Sequence, residues 1–147
     1  GGDFLITKIN SSDGSIIWNK YFVGTGRDII RSVDRLSNGF VVAGYSSSNS
    51  SSGEDVFVAK FDNNGNISWA NSYGGAYNER SRYDSVKATS DGGFIVTGYS
   101  RSFTNDNNWD GIILKLDQNG DKKWFKRYYN NNFIILMPIY QLSNGNF

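Results

Sequence analysis

The sequence predicts an all-β chain made of about three four-stranded antiparallel units, and three observations predict it. Composition comes first: aromatic residues reach 16% of the 147 residues, Gly, Ser and Asn dominate the polar fraction, and helix formers such as Ala, Glu and Gln are scarce. A seven-residue block then returns three times, as Asp3-Phe4-Leu5-Ile6-Thr7-Lys8-Ile9, Asp55-Val56-Phe57-Val58-Ala59-Lys60-Phe61 and Asp110-Gly111-Ile112-Ile113-Leu114-Lys115-Leu116. Each block is followed by a polar turn ending in glycine and, four residues later, a tryptophan: Gly14 and Trp18, Gly65 and Trp69, Gly120 and Trp124. The tryptophans are 51 and 55 residues apart.

A second block repeats out of phase with the first. Ser37-Asn38-Gly39-Phe40-Val41-Val42-Ala43-Gly44-Tyr45-Ser46 matches Asp91-Gly92-Gly93-Phe94-Ile95-Val96-Thr97-Gly98-Tyr99-Ser100, and a third copy begins at Ser143-Asn144-Gly145-Asn146-Phe147. The chain thus enters at one half of a unit and leaves at the other, as a fragment would. Alternation and turn punctuation divide a unit into strands A to D, at about 84–88, 93–100, 110–116 and 123–129 in the middle copy. The expected organisation is strands C and D of a first unit in 1–30, a full unit in 31–75, a second full unit in 83–129, and strands A and B of a truncated unit in 133–147.

The links between strands fall into two kinds. Asp91-Gly92-Gly93 and Asp117-Gln118-Asn119-Gly120 are tight, with glycine free to take the positive φ of a short hairpin. The B-to-C stretches 47–54 and 101–109 and the D-to-A stretches 23–28, 74–82 and 130–132 are polar and unlike one another. Successive turns of an up-and-down sheet alternate between its ends, so one end carries fixed turns and the other variable loops.

A four-stranded meander cannot bury both faces alone, so units must stack, and four strands per unit favour radial stacking over an extended β solenoid. The expectation is a β-propeller segment of about three four-stranded antiparallel blades of 51–55 residues each, with Trp18, Trp69 and Trp124 between blades. Closed propellers need about four to eight blades. Either the segment belongs to a longer ring or copies of it pair to complete one, and the isolated segment is expected to self-associate.

Chemistry is constrained mainly by what is missing. There is no Cys and no His, which removes thiol nucleophiles, imidazole bases and the common zinc sets, and no catalytic residue, metal or cofactor is expected. A net charge of +1 gives no field for a nucleic-acid backbone, and no apolar run approaches the length of a membrane span, so neither nucleic-acid binding nor membrane insertion is expected. The turns at Asp62 and Asp117 cluster oxygen donors but lack the alternating acids and closing Glu of a calcium loop; they read as structural hairpins. Lys8, Lys60 and Lys115 read as solvated or snorkelling.

Binding is expected at the variable-loop end. Tyr77, Asn78, Arg80, Arg82 and Tyr83 crowd one D-to-A loop, with Asp106 and Trp109 in a B-to-C loop at the same end. Aromatic rings beside amide and charged groups suit a carbohydrate or protein partner. Arg27, Arg31 and Arg101 add basic charge there, interleaved with Asp28, Glu79 and Asp84.

The pattern Asp-x4-Lys-x-Asp-x2-Gly-x3-Trp, followed by Asp-Gly-Gly-Phe-Ile-Val-x-Gly, resembles the tandem β-propeller repeats of bacterial and archaeal secreted and cell-surface proteins. The turn-then-Trp half is also similar to blades of pyrroloquinoline-quinone-type propellers. Asn10 departs from the pattern where Asp62 and Asp117 stand, as does the apolar run 133–139. The resemblance implies an extracellular or cell-surface location and a non-catalytic binding or scaffolding role. The other reading it implies is a fragment of a quinoprotein-like propeller enzyme whose cofactor contacts lie elsewhere.

Overall fold

A computed structural model describes residues 3–48, 50, 53–103, 108–130 and 132–147. It is all-β, with ten strands: β1 (Phe4–Ile9), β2 (Ile16–Phe22), β3 (Asp28–Leu36), β4 (Gly39–Ser46), β5 (Asp55–Asp62), β6 (Ile67–Tyr73), β7 (Glu79–Ala88), β8 (Phe94–Ser100), β9 (Asp110–Leu116) and β10 (Lys122–Tyr128). They pair in chain order into three antiparallel sheets, β1-β2, β3-β4-β5-β6 and β7-β8-β9-β10. Among the described residues there is no helix and no closed barrel.

Burial follows position in the sheet. The second strands, β4 and β8, are apolar over most of their length and buried almost throughout, because they have neighbours on both edges and on both faces. The outer strands β2, β6 and β10 expose most of their residues, and Lys122, Lys123 and Lys126 on β10 charge that edge against pairing with another sheet. Turn chemistry fixes the registers. Asp62 Oδ1 accepts from the backbone N–H of Asn64 at 2.8 Å and of Asn66 at 2.9 Å, and Asp117 Oδ1 does the same for Asn119 and Asp121. Gly14, Gly65 and Gly120 take φ of +73°, +73° and +86°, the left-handed conformation these turns require.

The sheets pack face to face. Val41, Ala43, Val56 and Val58 of the second sheet share a core with Val86, Phe94, Val96, Ile112, Leu114 and Leu116 of the third. On the other face of the second sheet, Val42, Ala59 and Phe61 meet Phe4, Ile6 and Phe22 of the β1-β2 ribbon. Polar bonds also cross between sheets two and three: Val86 N–H donates to Ser32 Oγ at 3.0 Å, Ala88 N–H to Asp34 Oδ2 at 2.8 Å and Ser81 Oγ to the Gly44 carbonyl at 2.9 Å.

The tryptophans extend this packing. A Cβ built on Gly65 would lie 2.7 Å from Trp18 Cη2, and one on Gly120 would lie 2.9 Å from Trp69 Cε3, so each indole rests on the hairpin glycine of the following sheet. Trp69 also meets the edge of Phe94 with centroids 5.6 Å apart and donates from Nε1 to the Gln118 carbonyl at 3.1 Å. Trp124 has no such turn to rest on. It is 38% exposed, with the Phe147 ring 6.4 Å away, so the expectation that all three indoles lie between sheets fails for it.

Other differences have local causes. β7 begins at Glu79, earlier than the expected 84, because Glu79 N–H donates to the Glu54 carbonyl at 2.6 Å and its carboxylate accepts from Ser100 and Ser102. Its ladder then breaks between Ser81 and Val86, where Asp84 takes φ +53°. Lys115 is not solvated: it is 5% exposed and its ammonium binds Asp91 at 2.8 Å, Thr89 Oγ1 at 3.0 Å and the Leu116 carbonyl at 3.1 Å. Residues 133–147 were expected to hold two strands, yet none of them pairs as a strand with another described residue. It runs along the third sheet, with Ile134 N–H donating to the Trp109 carbonyl at 2.8 Å and Thr97 Oγ1 to the Met137 carbonyl at 3.0 Å. Its turn does close, Leu142 N–H donating to the Asn146 carbonyl at 2.7 Å with Gly145 at φ +86°, a pattern that Thr89, Gly93 and Gly92 also make.

Candidate binding site at the loop end of the sheets

The last residues of β4 and β8 are Gly44-Tyr45-Ser46 and Gly98-Tyr99-Ser100, and they organise this end of the molecule. Each serine binds a buried acid at the start of the neighbouring strand: Ser46 and Ser48 donate to Asp28, and Ser100 and Ser102 to Glu79. These bonds pin the entry of β3 and β7 to the B-to-C loops. Each tyrosine ring, 4% and 5% exposed, becomes a floor for guanidinium groups.

Three arginines surround Tyr45. The guanidinium carbons of Arg27, Arg31 and Arg80 lie 5.6, 5.7 and 5.1 Å from its ring centroid. Arg31 also donates to the Tyr45 hydroxyl at 3.3 Å, stacks on Tyr83 at 4.9 Å and binds the Tyr83 hydroxyl. Its pKa is pushed up, first by the Tyr45 hydrogen bond and against desolvation, so the group stays charged. Glu54, 8% exposed, lies between Arg27 and Arg80 and pairs with both.

The second tyrosine has a different companion. Arg82 lies over Tyr99 at 5.0 Å, Trp109 meets the same ring edge-on at 4.6 Å, and Arg101 stacks on Trp109 at 4.3 Å. Glu54 and Trp109 occupy corresponding places, each immediately before the aspartate that opens β5 or β9. Where one loop supplies a carboxylate, the other supplies an indole. Arg82 Nε is buried and has no hydrogen-bond partner among the described residues.

Deeper in, Asp55 and Glu79 approach each other beside Gly74, and both have carboxylate atoms within 3 Å of where a Gly74 Cβ would sit. Burial, then the charge of Glu79, pushes the Asp55 carboxyl above its ordinary pKa, partly offset by a hydrogen bond from Ser50. Glu79 Oε2 accepts from Gly75 N–H at 2.6 Å, which closes the D-to-A turn. In the corresponding place on the third sheet, Asp110 is 1% exposed and pairs with Arg127.

Of the residues expected to bind, Arg80, Arg82 and Trp109 converge on the two buried tyrosines, and Tyr83 joins them through Arg31. Asn78 lies beside them but serves as a clip: its Oδ1 accepts from Glu54 N–H at 2.9 Å and its carbonyl from Arg101 N–H at 3.0 Å. Tyr77 is 59% exposed, and its backbone N–H donates to Ser102 Oγ at 2.8 Å. Asp106 lies outside the described residues. Sequence reasoning missed Tyr45, Tyr99 and Glu54. The repeated Gly-Tyr-Ser ending could have marked the tyrosines, whereas Glu54 carries no sequence signal.

No family model matches the chain, and no curated protein matches it.

Proposed function

We propose that this chain is a non-catalytic segment of an exported or cell-surface protein that binds or scaffolds a partner through the loop end of its sheets. One observation carries the proposal. Tight Asp- and Gly-based turns close one end of the sheets, whereas the arginines, tyrosines and Trp109 gather among loops of differing sequence at the other. A rigid scaffold with a chemically varied rim suits recognition. In the same proposal the sheets are consecutive blades of a β-propeller, stacked as the second and third are here. The Ser- and Asn-rich composition supports export.

The test is binding by the immobilised chain to glycan and peptide arrays, compared with two sets of variants. Substitutions at the loop end, Tyr83→Ala and Arg82→Ala, should abolish the strongest signals, and Asn64→Ser at the turn end should leave them intact. Signals lost only with the turn-end variant would overturn the proposal.

The first ribbon supports a further part of it, association with another copy. Leu5, Ile9, Ile16, Ile17 and Tyr21 are 49% to 72% exposed, and a groove of about 450 Å³ runs between β1, Trp18 and the apolar residues Ile30, Val33, Phe40 and Val42. Covering it with a second copy buries that apolar surface. Light scattering should show mass rising with concentration; a constant monomer mass across dilution would contradict it.

A further inference from the structure

We infer that Arg31 and Arg82, with the rings of Tyr83 and Trp109, form a site for the carboxylate of an acidic carbohydrate of the uronate class. This inference rests on the loop end being the binding end. Among the described residues, neither Arg31 nor Arg82 is paired with a carboxylate, although Arg27 and Arg80, which share the Tyr45 ring with Arg31, both pair with Glu54. Glu54 shows the geometry the cluster accepts: a carboxylate between guanidinium groups that lie on a tyrosine face. At the corresponding place beside Arg82 stands Trp109, and the buried Arg82 Nε–H has no acceptor among the described residues. A buried guanidinium donor without a partner is unfavourable, and a ligand oxygen would satisfy it.

Arg31 and Arg82 share surroundings. Arg31 stacks on Tyr83, one residue after Arg82, and Arg80, the register partner of the Tyr99 that lies beneath Arg82, shares the Tyr45 ring with Arg31. Tyr83 is 58% exposed, offering ring surface beside the charges. A sugar acid satisfies all of this at once, its carboxylate on the guanidinium groups and its ring against an aromatic face. A neutral sugar leaves the arginines unused. An extended acidic peptide uses the charges but gains little from the aromatic faces.

The test is calorimetric titration of the whole chain with a trigalacturonate, with a neutral galactose trisaccharide, with a hexaglutamate peptide and with inorganic phosphate. The trigalacturonate should bind, and Arg31→Gln and Arg82→Gln should each weaken it about tenfold or more, the loss of one charge-assisted hydrogen bond. If Arg82→Gln does not fold, Arg31→Gln together with the shift of the Trp109 indole resonance on titration of the unmodified chain decides the question. Equal binding of the neutral sugar, equal or tighter binding of the peptide or phosphate, unchanged affinity in the foldable variants, or no binding of the trigalacturonate would each overturn the inference. Array ligands that still map to the loop end would leave the proposed function standing without it.

Discussion

Single residues set the sharpest constraints in this chain, and two glycines with nearly the same backbone show how. Gly14 and Gly120 have φ of +73° and +86°, but nothing lies within 4 Å of a Cβ on Gly14, whereas a Cβ on Gly120 meets Trp69 at 2.9 Å. Gly14→Ala should cost about 1 kcal/mol from the left-handed conformation alone, and Gly120→Ala about 2 to 4 kcal/mol because the indole must also move. Chemical denaturation of the two variants measures the difference; equal losses would mean that the ring does not rest on the turn. Asp55 makes a prediction about pH. Its folded-state pKa lies above the unfolded value, so between the two the native state holds more protons and stability falls as pH rises through that window. Asp55→Asn, which mimics the protonated form, should therefore melt higher than the parent at pH about 7, the gap closing as pH falls below about 4. A gap that widens toward acid would reverse the sign and refute the assignment. Turn glycines were legible in the sequence because a positive φ leaves a residue signature. The Asp55 and Glu79 approach was not, since it depends on β7 beginning five residues earlier than its apolar pattern indicates.

Strands carry the next level of information. β8 and β9 were readable nearly to the residue, because an apolar block between Gly-rich turns has one register that buries it. β7 was not, because its first residues Glu79-Arg80-Ser81-Arg82 look like a polar loop, and their pairing with β8 is supported by bonds from Glu79, Arg80 and Ser81 to residues distant in sequence. Residues 133–147 show the converse: they are apolar enough for a strand, but their bonds go to the Trp109 carbonyl and the Thr97 hydroxyl of the third sheet rather than into a ladder. The same dependence on neighbours separates the tryptophans. Trp69→Ala, which removes a ring held by Phe94, Gly120 and the Gln118 carbonyl, should destabilise by about 3 kcal/mol or more, and Trp124→Ala by about 1 kcal/mol or less. Thermal melts of both variants would show this order, and comparable losses would contradict it.

For the molecule as a whole, the loop-end cluster depends on how one sheet packs against the next. Arg31 belongs to the second sheet and Tyr83 to the third, and Glu54 joins Arg27 of the D-to-A loop to Arg80 of β7, so the arginines converge only when the two sheets are docked. The sequence marked which end would vary and which residues would crowd it. It could not mark the convergence, because Tyr45 and Tyr99 read there simply as strand residues. The docking itself is most directly tested by two-dimensional NMR of the glycine α protons. Face-to-face packing predicts that those of Gly65 and Gly120 show nuclear Overhauser contacts to the indoles of Trp18 and Trp69 and ring-current shifts upfield, while those of Gly14 show neither. Glycine signals at random-coil positions in all three turns, with no contact to any indole, would contradict it.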